Sequence, residues 1–216
     1  MPRGPHRRID ETPLLEGLQV VSRIKELPPS WRPESLFESP QPIEIELGSG
    51  KGLFMASASI ANPHRNFVGI EMIKKYAAIC ALRLQSLGVK NARMLEGDGL
   101  ALFKNRIDEN SLSAIHVYFP DPWWKQKHRK RRVLNEAFLK DAQRTLKPGG
   151  RLHVWTDVLE YFESTKKLVA KVTSLIGPIP VEERAPTHDL DYRTHFERRT
   201  RLKNEPVYRA EWRKAE

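Results

Sequence analysis

Between residues 42 and 121 four short, mostly apolar runs each end beside an acid, three of them at glycine or proline. The runs are Ile43-Glu44-Ile45-Glu46-Leu47, Phe67-Val68-Gly69-Ile70-Glu71, Ala92-Arg93-Met94-Leu95 before Gly97-Asp98, and Ile115-His116-Val117-Tyr118-Phe119 before Pro120-Asp121. Helical stretches separate them. One stops near Asn62-Pro63, and another carries Tyr76, Ile79, Leu82 and Leu87 and closes at Gly88. A helix from Asn135 to Leu146 then leads through Pro148-Gly149-Gly150 into Leu152-His153-Val154-Trp155. Strands and helices alternating at this spacing build a parallel sheet with a helical layer on each side. The expected fold is therefore α/β and Rossmann-like, a mostly parallel sheet with helices on both faces. Beyond about residue 193 the alternation ends, and antiparallel C-terminal edge strands are expected there, with Pro206 between them.

The first forty residues lack this rhythm. Pro28, Pro29, Pro33, Pro40 and Pro42 punctuate them, and Leu14, Leu15, Leu18 and Val21 supply at most two weakly amphipathic turns. Residues 1–41 are expected to be a Pro-rich arm lying on a main domain of residues 42–216. No apolar run reaches the roughly 20 residues of a membrane-spanning helix, and the basic start has no apolar stretch behind it, so no secretory signal is read. The single cysteine, Cys80, leaves no disulfide framework and fits a reducing, cytoplasmic setting. With 37 Lys and Arg against 27 Asp and Glu, the formal charge is +10, which favours a polyanionic partner.

In an open parallel sheet, ligands bind at the carboxyl ends of the strands. Glu46, Glu71, Asp98 and Asp121 all fall there, one per strand. The glycine loop Gly48-Ser49-Gly50-Lys51-Gly52 lets backbone approach a ligand without an intervening Cβ. Its spacing excludes two ligand classes. A dinucleotide fingerprint needs glycine at Leu53, and a phosphate-cradling loop needs glycine at Ile45 and Ser or Thr at Gly52. Glu46-x-Gly48-x-Gly50-x-Gly52 instead resembles the first motif of S-adenosylmethionine-dependent methyltransferases. Glu71, about twenty residues on, stands where an acid can accept both ribose hydroxyls. A sulfonium cofactor suits such a pocket: carboxylates offset its positive charge, loop amides can face its carboxylate, and no phosphate needs holding.

The stretch from His116 to Arg132 is the most specific in the chain. It sets Pro120-Asp121-Pro122-Trp123-Trp124 at a strand end and follows with Lys125, Lys127, Arg129, Lys130, Arg131 and Arg132. A basic run alone is most often a solvated face, and tryptophans after a strand are most often packing. Their combination beside the predicted carboxylates is what points to a site. With Gly69-Ile70-Glu71, Thr156-Asp157 and Thr194-His195-Phe196-Glu197, this stretch resembles the tRNA (guanine-N7-)-methyltransferase family over about residues 42 to 214.

That resemblance implies a class I methyltransferase fold, S-adenosylmethionine as cofactor and tRNA as substrate, with guanine 46 of the variable loop as target. Carried over by position, cofactor contacts fall on Glu46, Gly48, Gly50, Glu71, Asp98 and Asp121, and the proposed catalytic acid is also Asp121. Substrate contacts fall on Lys125, Asp157, Thr194, His195, Phe196 and Glu197. RNA contacts fall on Lys127, His128, Arg129, Lys130, Arg131 and Arg132. Trp124 departs from the family's pattern and receives no role. Guanine N7 has an in-plane lone pair and no proton, so the chemistry requires alignment and tolerance of positive charge rather than a general base.

Two other readings stand beside this one: a methyltransferase of the same fold acting on another RNA base or on protein, and a non-catalytic RNA-binding module. The histidines lack metal-ligand spacing, so no metal is expected. Neither is an obligatory protein partner; the expected state is a monomer or homodimer. Most of the excess charge gathers in residues 125–132 and 193–214.

Overall fold

The computed structural model describes residues 21–183 and 194–216. In chain order its strands are β1 (Val21–Arg23), β2 (Ile43–Leu47), β3 (Asn66–Glu71), β4 (Ala92–Glu96), β5 (Leu112–Tyr118), β6 (Leu146–Thr156), β7 (Ile176–Pro180) and β8 (Tyr208–Arg213). Its helices are α1 (Leu53–Ala61), α2 (Lys74–Ser86), α3 (Gly99–Arg106), α4 (Glu136–Thr145), α5 (Leu159–Val172) and α6 (His195–Leu202). The eight strands form one sheet in the order β1-β4-β3-β2-β5-β6-β8-β7. The pairings from β1 to β6 are parallel, while β8 runs antiparallel between β6 and β7. From β2 the chain steps outward through β3 to β4, then returns to β5 on the other side. That reversal opens a crevice at the carboxyl ends of β2 and β5.

All five residues of β2 are buried, as expected for a central strand covered on both faces. Alternation then divides the core. Ile43, Ile45 and Leu47 face one layer with Leu102 and Phe103 of α3, Phe138 and Leu139 of α4 and Val169 of α5. The opposite layer holds Phe54 and Met55 of α1, Cys80 and Ala81 of α2, and Phe67, Met94, Tyr118 and Trp155 of the sheet. Local signals close the elements: Asn135 caps α4 by accepting the Phe138 N–H at 3.0 Å, and Gly88 follows α2 at φ 65°.

The structure departs from expectation at two places. In α2 the buried face is Ala77, Ala78, Cys80, Ala81 and Leu84, while Tyr76, Ile79 and Leu82 are only half-buried and Leu87 is exposed. Small residues won because α2 lies almost in contact with the glycine loop. The tail is not a pair of strands around Pro206 but α6 followed by β8, and the other antiparallel strand, β7, precedes it. The described part of the arm packs on the domain, and Val21–Arg23 add β1 to the sheet edge. Beyond the β1–β4 pairing, Trp31 is buried in the core, Arg32 pairs with Asp108, and Arg106 donates to the Leu27 carbonyl at 3.3 Å. Leu14, Leu15 and Leu18 lie outside the described residues. Among the described residues, no helix is long and apolar enough to cross a membrane.

Candidate active site

The glycine loop follows β2, and its three glycines do different work. Gly48, Gly50 and Gly52 all have left-handed φ values, 80°, 52° and 74°. A Cβ on Gly48 or Gly50 would meet nothing within 4 Å, so these two leave open space beside the chain. A Cβ on Gly52 would stand 2.2 Å from Cys80 Sγ, so this glycine seats α2 against the loop. The loop amides are already engaged. Gly48 and Ser49 donate to the Ile70 carbonyl at 2.8 and 3.0 Å, Gly50 donates to Glu71 Oε2 at 2.9 Å, and Gly52 donates to the Ser49 carbonyl at 2.9 Å. The expectation that loop amides face a ligand carboxylate is therefore not met by these four.

The strand-end acids differ sharply. Glu46 is buried, and its Oε2 has no partner among the described residues. Burial pushes its carboxyl up to about 8, against the nearby Ser49 hydroxyl and with a further contribution from the Glu71 charge. Glu71, also buried, accepts Gly50 N–H on one oxygen and Ile73 N–H at 2.8 Å on the other, which locks loop to strand. Asp98 is exposed and caps α3 through a single oxygen, accepting Leu100 N–H at 2.9 Å and Ala101 N–H at 3.2 Å. Asp121 is exposed beyond the end of β5.

Asp121 sits between two residues in left-handed conformation, Phe119 (φ 49°) and Trp123 (φ 43°). Neighbours brace both sides of this turn. Phe119 N–H bonds the Trp155 carbonyl at 2.7 Å, and Arg132 Nε bonds the Pro122 carbonyl at 2.8 Å while its guanidinium lies 4.6 Å from the Tyr161 ring centroid. The basic run forms a short 3-10 turn, Gln126–Arg131, that folds back on Trp123. Arg131 lies 5.1 Å and His128 5.7 Å from that ring's centroid. Lys125, Lys127 and Lys130 are exposed. Of Arg129 only the backbone position, within the turn, is described. The run expected to grip RNA thus divides into residues that support the Asp121 turn and residues that face outward.

Helix α6 opens with an N-cap at Thr194, in the sequence pattern Thr194-x-x-Glu197: Thr194 Oγ1 accepts Glu197 N–H at 3.0 Å. The Glu197 carboxylate turns inward, buried, to Arg201 at 3.2 Å and Arg209 at 3.4 Å. This carboxylate anchors α6 to β8. His195 packs beside Arg83, 3.3 Å from ring nitrogen to guanidinium; burial and the neighbouring cations Arg83, Lys51 and Arg198 lower its tendency to protonate. Asp157 is exposed just past β6.

A cavity of about 420 Å³ joins distant parts of the chain. Glu46, Gly48 and Gly50 form one wall and Thr194, His195 and Phe196 the other. The walls also include Lys51, Tyr76, Phe119 and Arg199, none of which sequence reasoning had assigned a role. Arg199 was findable, since residues 195–202 read as a helix place it one turn beyond His195 and Phe196. The cavity does not include Glu71, Asp98, Asp121, Lys125 or Asp157. A larger cavity, about 620 Å³, lies at the amino ends of β2 and β5 and contains none of the predicted site residues. It borders a polar row across the sheet in which His116 bonds Glu44 at 2.8 Å, stacks on His153 at 4.6 Å, and His153 reaches Glu211 at 3.1 Å.

Comparison with known proteins identifies the family and the fold. A family model described as "Putative methyltransferase" matches residues 40–210. A tRNA (guanine-N(7)-)-methyltransferase of Rhodopirellula baltica is 47% identical, over 99% of this chain and 80% of its own. One of the same description from Myxococcus xanthus is 34% identical, over 90% and 92%. Among solved structures, the 16S rRNA methyltransferase KamB superposes with a TM-score of 0.62 at 16% identity, covering 85% of this chain and 92% of its own. The aminoglycoside resistance methyltransferase NpmB1 does so with a TM-score of 0.54, also at 16% identity, over 84% and 91%. At such identities the structural likeness concerns the fold.

Proposed function

The chain belongs to the tRNA (guanine-N7-)-methyltransferase family, and on that premise we propose that it moves the methyl group of S-adenosylmethionine onto N7 of a guanine in tRNA. The sequence resemblance makes that guanine number 46, in the variable loop. Residues 42–216 are the catalytic unit in this proposal, and residues 1–41 its arm.

The observation that carries the cofactor half is the partnerless oxygen of buried Glu46 in the cavity beside Gly48 and Gly50. A buried carboxyl with one oxygen unpaired is costly to ionise, and a cationic ligand offsets that cost. Lys51 and Arg199 in the same cavity provide positive charge for a ligand carboxylate, the part first expected of the loop amides. Bound there, S-adenosylmethionine supplies a methyl carbon made electrophilic by its sulfonium. Glu71 retains lone pairs for ribose hydroxyls, and Asp98 has its second oxygen available for the base end.

Asp121 has no proton to remove, because guanine N7 carries a lone pair and no hydrogen. Its carboxylate is suited to accept from guanine N1–H and N2–H₂, which fixes the ring in its plane and offsets charge arriving on the purine. The braced turn from Phe119 to Trp123 holds that carboxylate at the crevice. Lys125, Asp157, Thr194, His195 and Phe196 border the approach of the nucleotide, and Glu197 serves by holding α6 in place. Lys127, Arg129 and Lys130 take phosphates, a sequence-independent and salt-sensitive grip.

Titration calorimetry with S-adenosylmethionine tests the cofactor half. Heat of binding that falls in a Glu46→Gln variant supports it. No heat from the wild-type chain returns the protein to the class of RNA-binding modules.

A further inference from the structure

Phe119 follows β5 and Phe196 lies in the first turn of α6, yet their ring planes lie close together and nearly parallel. The centroids are 6.1 Å apart and the planes 18° from parallel. Both rings line the cavity that holds Glu46 and the glycine loop. Phe196 is 49% exposed, far more than a core packing contact would leave it. Phe119 is held at a φ of 49° with its N–H on the Trp155 carbonyl, a conformation that bulky side chains rarely adopt and that clusters at functional sites. The Arg199 guanidinium lies 4.6 Å from the Phe196 centroid.

Building on the function proposed above, we infer that Phe119 and Phe196 form an aromatic slot that takes the target guanine between their faces. A purine sandwiched between two rings needs about 7 Å, twice the ~3.4 Å stacking rise of nucleic acid bases. The ring planes already have the near-parallel orientation of a sandwich, and a shift of α6 that separates them admits the base. A guanine reached by an enzyme must leave its own stack, and two ring faces replace that stacking.

The slot also does something that apolar packing would not. In the reaction the S–CH₃ bond breaks with its electron pair returning to sulfur, and the N7 lone pair forms the new N–CH₃ bond. The positive charge therefore passes from sulfur to the purine. The negative faces of Phe119 and Phe196 attract that charge, and the attraction grows as transfer proceeds. An interaction stronger in the transition state than in the ground state appears in the rate rather than in substrate affinity.

The test measures single-turnover methylation of unmodified tRNA by Phe119→Leu, Phe196→Leu, Phe119→Tyr and Phe196→Tyr variants. It adds tRNA and cofactor dissociation constants and the melting temperature of each. Leucine keeps the pair apolar and supports α6, while tyrosine keeps the ring face. The expected result is a rate lower by about tenfold or more in each leucine variant, tRNA affinity within about threefold of wild type, and tyrosine variants within about threefold throughout. Leucine variants within about twofold of wild type, or equal losses in leucine and tyrosine variants, overturn the slot while leaving the function intact. A wild-type protein that makes no N7-methylguanosine overturns the functional reading, and the slot with it.

Discussion

Cys80 Sγ occupies the space a side chain on Gly52 would need: a Cβ built there stands 2.2 Å from the sulfur and 2.9 Å from Cys80 Cβ. The glycine loop and α2 are thereby a single packed unit, and the lone cysteine contributes bulk. Burial pushes its thiol up to about 12, so it stays protonated. Replacing Gly52 with alanine meets both the left-handed φ and this contact, and should cost roughly 2–4 kcal/mol. Cys80→Ala in the same chain should restore part of that loss, because it removes the sulfur and leaves the tight Cβ contact and the backbone strain. Urea unfolding of the two single variants and the double variant measures the coupling. Strictly additive losses would mean that the two residues do not compete for space.

Glu46 makes stability and cofactor binding respond to pH in opposite ways. Its folded carboxyl titrates near 8, above the unfolded value of 4.5. As pH rises from 4.5 to 8, the unfolded chain releases this proton first, so the fold loses stability over that window. At about 1.4 kcal/mol per pH unit the penalty above pH 8 is of the order of a few kcal/mol. Glu46→Gln should therefore melt above wild type at pH 9 and show no such gain below pH 4.5. Cofactor binding favours the ionised form, so below pH 8 it should release a proton, visible as heat that varies with the buffer's ionisation enthalpy. Buffer-independent heat at pH 7 would contradict the assignment.

The two halves of the basic run should separate under mutation. Lys127→Gln with Lys130→Gln should flatten the salt dependence of tRNA binding by about 1.8 in log–log slope if both touch phosphate, and leave stability unchanged. Arg132→Gln removes the bond to the Pro122 carbonyl and the contact on Tyr161. It should lower turnover more than tRNA affinity, because what it loosens is the turn carrying Asp121. Equal effects of the two changes on the salt slope would show that Arg132 grips RNA directly.

Asp121→Asn tests whether positioning or proton removal matters. The amide can accept a hydrogen bond but carries no charge, so cofactor affinity should stay within a few-fold while the single-turnover rate falls about a hundredfold or more. The residual rate should be flat with pH near neutrality, since no base titrates. Near-normal turnover in the variant would remove Asp121 from the chemistry.

Much of this was legible in the sequence because it is written in short-range signals. The breaks at Gly48 and Gly97, the cap at Asn135 and the strand-end acids Glu46, Glu71, Asp98 and Asp121 are local and periodic. What escaped depended on close approach between elements distant in the chain. The buried face of α2 follows Gly52, not its own largest residues, and nothing near residue 80 announces that contact. Strand β7, Ile176–Pro180, carries a glycine and two prolines and is tolerated only because it lies at the sheet edge. Helix α6 was missed as a helix even though Thr194 supplies its N-cap in the pattern Thr194-x-x-Glu197. With it went the inward turn of Glu197, whose partner Arg209 is twelve residues away on another element.

The most direct measurement of the central claim is nucleoside mass analysis of unmodified tRNA after incubation with the protein and S-adenosylmethionine. The expected product is one new nucleoside, N7-methylguanosine, mapping to position 46 in the variable loop. A methyl group found on another base or another atom of guanine, or tRNA recovered unmodified, would contradict it.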